Sequence, residues 1–411
     1  MMDIRKVGTL GLGLGLALGV SMAYGQQSRD WELRAALAEK PAVLKTMETL
    51  VNMDSGTDDG KGLALVEEEL VRRLKALGAE VEVTAAPPSV GKVVVGRILG
   101  KGTAKIMLMI HYDTVFGVGE AGKRPFRVEG QRAYGPGVAD AKGGLALILH
   151  AVGLLKAQGF DRYGELTLLF NPDEEKSSIG SREAIRKFAP QQDAVLIFEP
   201  PEAEKVIIAT NGISFVNLQV KGLASHAGSA PEKGRNAAME LAFQVLQLGQ
   251  LGDPVKGTTV NWTVMSSGDR SNIIPEAGRA TADMRMSDLN EVERVQRDAD
   301  RIIQKKFMSE NEVQVKVEYR RPPFQRNPQT EQLAKVANGL YGEIGKSLEP
   351  VAMRYGTDAG FAFTPNVAKP VVLDGLGVVG DRIHSSEEFV DTDSIAPRLY
   401  LTMRLIQQLS K

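Results

Sequence analysis

Cysteine is absent from the 411 residues. That excludes disulfides, a thiol nucleophile and thiolate metal ligands, so any metal site must be built from histidine and carboxylates. An excess of charge of one sign is also missing: 50 basic residues face 51 acidic ones, leaving no field to draw in nucleic acid or an anionic membrane. Histidine is scarce, with four in the chain, which makes the placement of each one informative. What is present is a globular balance, 43% hydrophobic and 25% charged, in a chain long enough for two packed domains. A small molecule or a peptide is the natural partner.

Long apolar runs are few, and the most conspicuous opens the chain. Arg5 and Lys6 precede an apolar stretch over residues 7–20, and Ala23-Tyr24-Gly25 supplies a small-residue cleavage pattern. The stretch is shorter than the ~20 residues of a spanning helix and holds five glycines. Residues 1–25 therefore read as a signal peptide, and the mature protein as periplasmic or secreted, with no membrane contact after cleavage.

Residues 61–77 place Leu63, Val66, Leu70, Leu74 and Leu77 at spacings of three and four before Gly78, the pattern of an amphipathic helix. Short apolar runs at residues 93–95, 106–110, 166–170, 195–198 and 371–373 alternate with helical stretches at 144–155 and 182–188, which predicts an α/β sheet buried on both faces. From residue 213 the rhythm becomes β-α-β-β-α-β, the ferredoxin-like order. The predicted organisation is a signal peptide (1–25), a catalytic domain in two parts (26–212 and 324–411) and an inserted second domain (213–323).

The chemistry-bearing residues gather at predicted strand ends, where open α/β sheets collect ligands. His111 follows the run 106–110, and Asp113, two residues on, is placed to accept its free ring N–H and fix the tautomer. Asp140 lies in a glycine-rich loop before a helix, a place where an N-cap is the plainer reading. His150 lies within that helix among Leu147, Leu149 and Val152 and reads as a packing histidine. The run 166–170 leads into Asp173, Glu174 and Glu175. Acidic residues there complement a helix dipole, but adjacent glutamates can also divide labour, one holding a metal and the other acting as general base. Glu199 and His384 end two further strand-and-loop units. Two histidines and three carboxylates at strand ends are the right count for two zinc ions sharing a bridging carboxylate.

In order and spacing, His111-Tyr112-Asp113-Thr114-Val115, the loop from Gly135 through Asp140 to Gly144, Asp173-Glu174-Glu175, Phe198-Glu199-Pro200, Ser225-His226-Ala227-Gly228 and Tyr355-Gly356-Thr357-Asp358-Ala359 resemble the dinuclear zinc aminoacylase/carboxypeptidase family. The likeness is greatest to its glutamate carboxypeptidases of the carboxypeptidase G type. The resemblance implies a zinc-exopeptidase-like catalytic domain, a mixed central sheet flanked by helices, with an inserted ferredoxin-like lid and dimerisation domain. It implies two zinc ions per subunit, one held by His111 and Glu199, the other by Glu175 and His384, with Asp140 bridging and a cis peptide after it. Asp113 would orient His111, Glu174 would be the general base, and His226 would meet the oxyanion in the partner subunit of a homodimer. Arg285 and Asn272 would receive the substrate's free C-terminal carboxylate, and Lys205 and Arg321 a second, side-chain carboxylate. Arg354 and Tyr355 stand where the family is richer in glycine, which bears on the pocket wall.

The expected activity is hydrolysis of the amide bond to a C-terminal glutamate. Another amidohydrolase of the same family, acting on N-acyl amino acids or a succinylated diacid, is the first alternative. An exported solute-binding protein is the second, but it has no use for Glu174 beside Glu175 or for the His111, Asp140 and His384 set.

Overall fold

The computed structural model describes the backbone from Leu12 to Lys411 and side chains from Trp31 onward. The signal peptide expected at residues 1–25 lies outside the residues whose side chains are described. The catalytic unit is built on a six-stranded mixed sheet in the order Glu80–Ala85, Lys92–Leu99, Glu165–Asn171, Lys105–His111, Ala194–Ile197, Val371–Leu373. The last four run parallel to one another and the first two pair antiparallel.

Alternation along the central strand divides the core in two. Ile106, Leu108 and Ile110 pack with the helices Gly60–Ala76, Gly144–Ala157 and Ile395–Leu409 on one face, while Met107 and Met109 pack with Ile185, Phe188 and Phe361 on the other. Both faces of the parallel strands are therefore covered, as continuous apolar runs require. Glu80–Ala85 is the exception: its alternating glutamates leave nearly every position exposed, and it forms the sheet edge.

A second sheet is antiparallel, with order Thr259–Ser267, Ala277–Met286, Gly212–Lys221, Glu312–Arg321. Numbered along the chain this is 2-3-1-4, and with the helices Ala237–Leu248 and Asn290–Ile302 it is the ferredoxin-like arrangement expected. Val216, Leu218 and Val220 face the helices and form a separate core with Leu241, Met284 and Val295. Asn236 starts the first helix by accepting from Ala238 N at 2.9 Å and Met239 N at 3.2 Å, the capping its side chain favours. Where the chain passes between the units, Thr210 N donates to Phe324 O at 2.9 Å and Asn211 N to Tyr355 O at 3.1 Å.

Candidate metal centre

Three parallel strands deliver ligands to one place because all end on the same edge. His111 is the last residue of Lys105–His111, Glu175 follows Glu165–Asn171 after a short turn, and Glu199 follows Ala194–Ile197. Asp140 comes from the loop before the helix Gly144–Ala157, and the Asp140–Ala141 peptide is cis, as the family resemblance implies. His384 sits in a loop with a positive φ of 62°, a conformation uncommon for a non-glycine residue.

Two ligand sets result, His111 with Asp140 and Glu199, and Asp140 with Glu175 and His384. Asp140 belongs to both. His111 Nε2 is 2.9 Å from Asp140 Oδ1 and 3.8 Å from Glu199 Oε2. His384 Nε2 is 3.1 Å from both Asp140 Oδ2 and Glu175 Oε2. One carboxylate thus presents an oxygen to each histidine, the geometry of a bridge between two cations.

The electrostatics fit the same conclusion. Burial, reinforced by Asp140, pushes Glu175 up to about 8, and burial pushes Glu199 well above the carboxylate range. Burial also acts to raise Asp140, but hydrogen bonds from His111 and His384 hold it well below the usual range. His384 is raised to about 10 by its bonds to Asp140 and Glu175. Packed carboxylates that resist ionisation unless positive charge is supplied describe a cation site. Glu175 Oε1 is buried with no hydrogen-bond partner, a further ligand atom awaiting an electrophile. The donor set, nitrogen and oxygen without sulfur, suits zinc.

Asp113, expected to orient His111, is 3.2 Å from His111 Nδ1. Its carboxylate also accepts from Glu174 N at 3.0 Å and Thr57 Oγ1 at 2.7 Å. Glu174, half-buried beside Glu175, is gripped by Arg321. Of the residues expected to bind substrate, Arg285 is paired through Nε and Nη2 with Asp283 at 2.7 and 2.9 Å, and Asn272 lies next to His226, its carbonyl accepting from Ala227 N at 2.9 Å. Lys205 starts a strand outside the main sheet and lies 3.7 Å from Glu202, with no hydrogen bond or ion pair among the described residues to the ligand set. Arg321, expected to receive a side-chain carboxylate of the substrate, is 2% exposed and bonded to Glu174 and Gly356. His226 is exposed, and its Nδ1 accepts from Gly228 N at 3.1 Å and Ser229 N at 3.0 Å. No hydrogen bond or ion pair among the described residues joins it to the metal ligands. His150 bonds Glu39 at 2.6 Å and Thr46 at 2.8 Å, a packing role.

Sequence reasoning passed over Glu388. It is 1% exposed, and its carboxylate accepts from Gly137 N, Ala139 N and Asp140 N at 2.8–3.0 Å, fixing the loop that carries the bridging aspartate.

Mixed sheet, ferredoxin-like insertion and paired His/carboxylate sets define a metal-dependent hydrolase. The model for peptidase family M20/M25/M40 matches residues 107–408, and the chain belongs to this family. It is 41% identical over 400 residues to carboxypeptidase G2 from Pseudomonas sp. (strain RS-16), covering 96% of each chain. It is 26% identical to acetylornithine deacetylase from Proteus mirabilis, over 82% of this chain and 88% of that one. Its fold matches the crystal structure of an aminopeptidase from Bacillus cereus with a TM-score of 0.76 at 20% identity, over 90% of this chain and 99% of that one. The protein is a metallo-carboxypeptidase of this family, with the two-zinc centre expected from the sequence.

Proposed function

We propose that the protein releases glutamate by hydrolysing the amide bond to a C-terminal glutamate, in N-acyl-glutamates, folate-type p-aminobenzoyl-glutamates or short peptides. The observation that carries this reading is the 41% identity to carboxypeptidase G2 along nearly the whole of both chains. His111 and Glu199 would hold one zinc ion, Glu175 and His384 the other, and Asp140 both. When bound, the two ions polarise the scissile carbonyl and acidify the attacking water.

The chain's own residues do the rest. Glu174 takes the proton from the attacking water and returns it to the leaving nitrogen. Asp113 holds His111 and, through Glu174 N, the base itself. His226 donates to the developing oxyanion: with Nδ1 accepting two main-chain N–H bonds, the neutral ring carries its proton on Nε2, the donor such a role needs. Arg285 and Asn272 receive the terminal carboxylate, Arg285 exchanging Asp283 for the substrate. No hydrogen bond or ion pair among the described residues joins His226 to the ligands of its own chain, and in this reading it serves the site of a second subunit in a homodimer, as the family resemblance implies. The leader at residues 1–25 directs the enzyme to the periplasm or the medium. The match to an acetylornithine deacetylase supports a second reading, in which the same centre removes an acyl group from another amino acid.

The test is hydrolysis of N-benzoyl-glutamate and p-aminobenzoyl-glutamate by zinc-loaded protein, beside the matching aspartate and alanine amides. Glutamate release is expected to be lost on chelation and to fall by about 10²–10⁴-fold in Glu174→Ala. Turnover confined to other acyl amino acids would replace the glutamate reading by the deacylase.

A further inference from the structure

We infer that Arg321 is a positioning residue that holds the general base Glu174, and not an anchor for a substrate carboxylate; the inference rests on the assignment of Glu174 as base. Arg321 is the last residue of Glu312–Arg321 in the second sheet. Along that strand each residue pairs in strict order with Gly212–Lys221 until the register shifts between Tyr319 and Arg321. Tyr319 stands opposite Ser214, on the helix-covered face, but Arg321 stands opposite Ile213. A bulge re-aims the side chain that follows it. Here it turns Arg321 to the face away from the helices.

There the guanidinium meets the catalytic unit. Nη1 donates to a carboxylate oxygen of Glu174 and to Gly356 O at 2.9 Å, and Nη2 donates to Glu174 O at 2.7 Å. Asp358 Oδ1 is 3.7 Å from Nη2. The side chain and the main chain of one residue, Glu174, are thus held by the two arms of one rigid fork. A carboxylate ligand is recognised best by two parallel N–H groups; three of the five donors here are spent on Glu174 and Gly356, and the remaining two, the buried Nε–H and the second N–H of Nη2, with Asp358 Oδ1 at 3.7 Å, belong to a side chain that is 2% exposed.

The surroundings are built to keep the arginine where it is. Asp358 is locked by Ser178 Oγ and by Asn171 Nδ2 at 2.6 Å, so it cannot follow if the guanidinium leaves. Swinging Arg321 towards solvent would strand Glu174 and the buried Asp358 without their cation, a costly state. Gly356 shows the closeness of the fit independently, since a Cβ there would meet Asn211 O at 2.9 Å and Arg321 Cδ at 3.1 Å. That glycine is part of the Tyr355-Gly356-Thr357-Asp358 run whose role the metal site leaves unexplained. It keeps open the passage through which the arginine reaches the base.

The experiment compares Arg321→Lys, Arg321→Gln and Arg321→Ala with the parent enzyme, zinc-loaded, on two amides with the same acyl group, one releasing glutamate and one releasing alanine. A positioning role predicts that kcat falls by the same factor on both, roughly 10²-fold for Gln and Ala and less for Lys, with KM nearly unchanged. Guanidine at millimolar concentration should restore part of kcat to Arg321→Ala. In a Glu174→Gln background, removing Arg321 should cost little more, because the two act as a unit. A rise in KM confined to the glutamate amide would make Arg321 a substrate anchor and overturn the inference, as would an unchanged kcat. If Ala fails to fold, Lys and Gln decide by the same split. Failure of the glutamate reading shows separately, as a parent enzyme that cleaves the alanine amide but not the glutamate one.

Discussion

The carboxylate of Asp113 receives Thr57 Oγ1 at 2.7 Å, Glu174 N at 3.0 Å and Glu175 N at 3.3 Å, and lies 3.2 Å from His111 Nδ1. It is fully buried, so Thr57 Oγ1 and the Glu174 and Glu175 N–H groups lose this partner if the carboxylate goes, while His111 Nδ1 retains the Asp113 main-chain oxygen at 3.0 Å. Asp113→Asn keeps the shape but replaces one acceptor oxygen by an NH2 group facing donors. His111 Nδ1 keeps the main-chain oxygen of residue 113 at 3.0 Å but loses the charged oxygen at 3.2 Å, and the turn carrying Glu174 and Glu175 loosens. Zinc affinity is expected to fall by about 10–100-fold, read as a shift in the midpoint of a chelator titration. Thr57→Val should move it less, since three of the four partners remain. An unchanged midpoint in Asp113→Asn would remove Asp113 from the support of the centre.

The helix Leu12–Val51 packs against the central helix Gly144–Ala157, and His150 forms the polar joint between them through Glu39 and Thr46. Burial lowers the His150 pKa below its ordinary 6.5, Glu39 partly opposing. The sign follows from linkage. As pH falls through 6.5 the unfolded chain takes up a proton that the folded one refuses, so this joint loses stability on the acid side and contributes no slope above. His150→Gln should therefore close part of its stability gap to the parent as pH drops from about 7.5 to about 5.5, in urea midpoints measured across that range. A constant gap would exclude the effect. At this scale most strands were legible, because runs such as residues 106–110 are short, continuous and apolar, as a strand buried on both faces requires. Two features were not. Arg321 is displaced onto the other face by a bulge, which period-two reasoning cannot foresee. Glu388 follows a second glutamate in a loop, and nothing local distinguishes the carboxylate that turns inward to hold the Asp140 loop from the one left exposed.

In the whole molecule, the second sheet ends on Thr259–Ser267, a strand with no further neighbour among the described residues. Val264 and Met265 on that strand, and Met239 and Leu246 on the adjacent helix, are each at least half exposed. An unpaired edge beside exposed apolar side chains is an association surface unless something covers it. A second copy pairing there by twofold symmetry would use the same strand and helix on both sides, in the unit that carries His226. Val264→Glu with Met265→Glu is expected to convert a dimer to monomers in sedimentation and to abolish turnover with zinc still bound. Complementation is the sharper test. His226→Ala and Glu174→Ala should each be inactive alone. Dissociated together and reassociated, half of the dimers would pair an intact base with an intact histidine at one of their two sites, restoring about a quarter of the parent activity. A mixture that stays inactive while forming dimers would place His226 in the service of its own chain, and the separation between it and the metal ligands would then have to be closed by movement of the second unit.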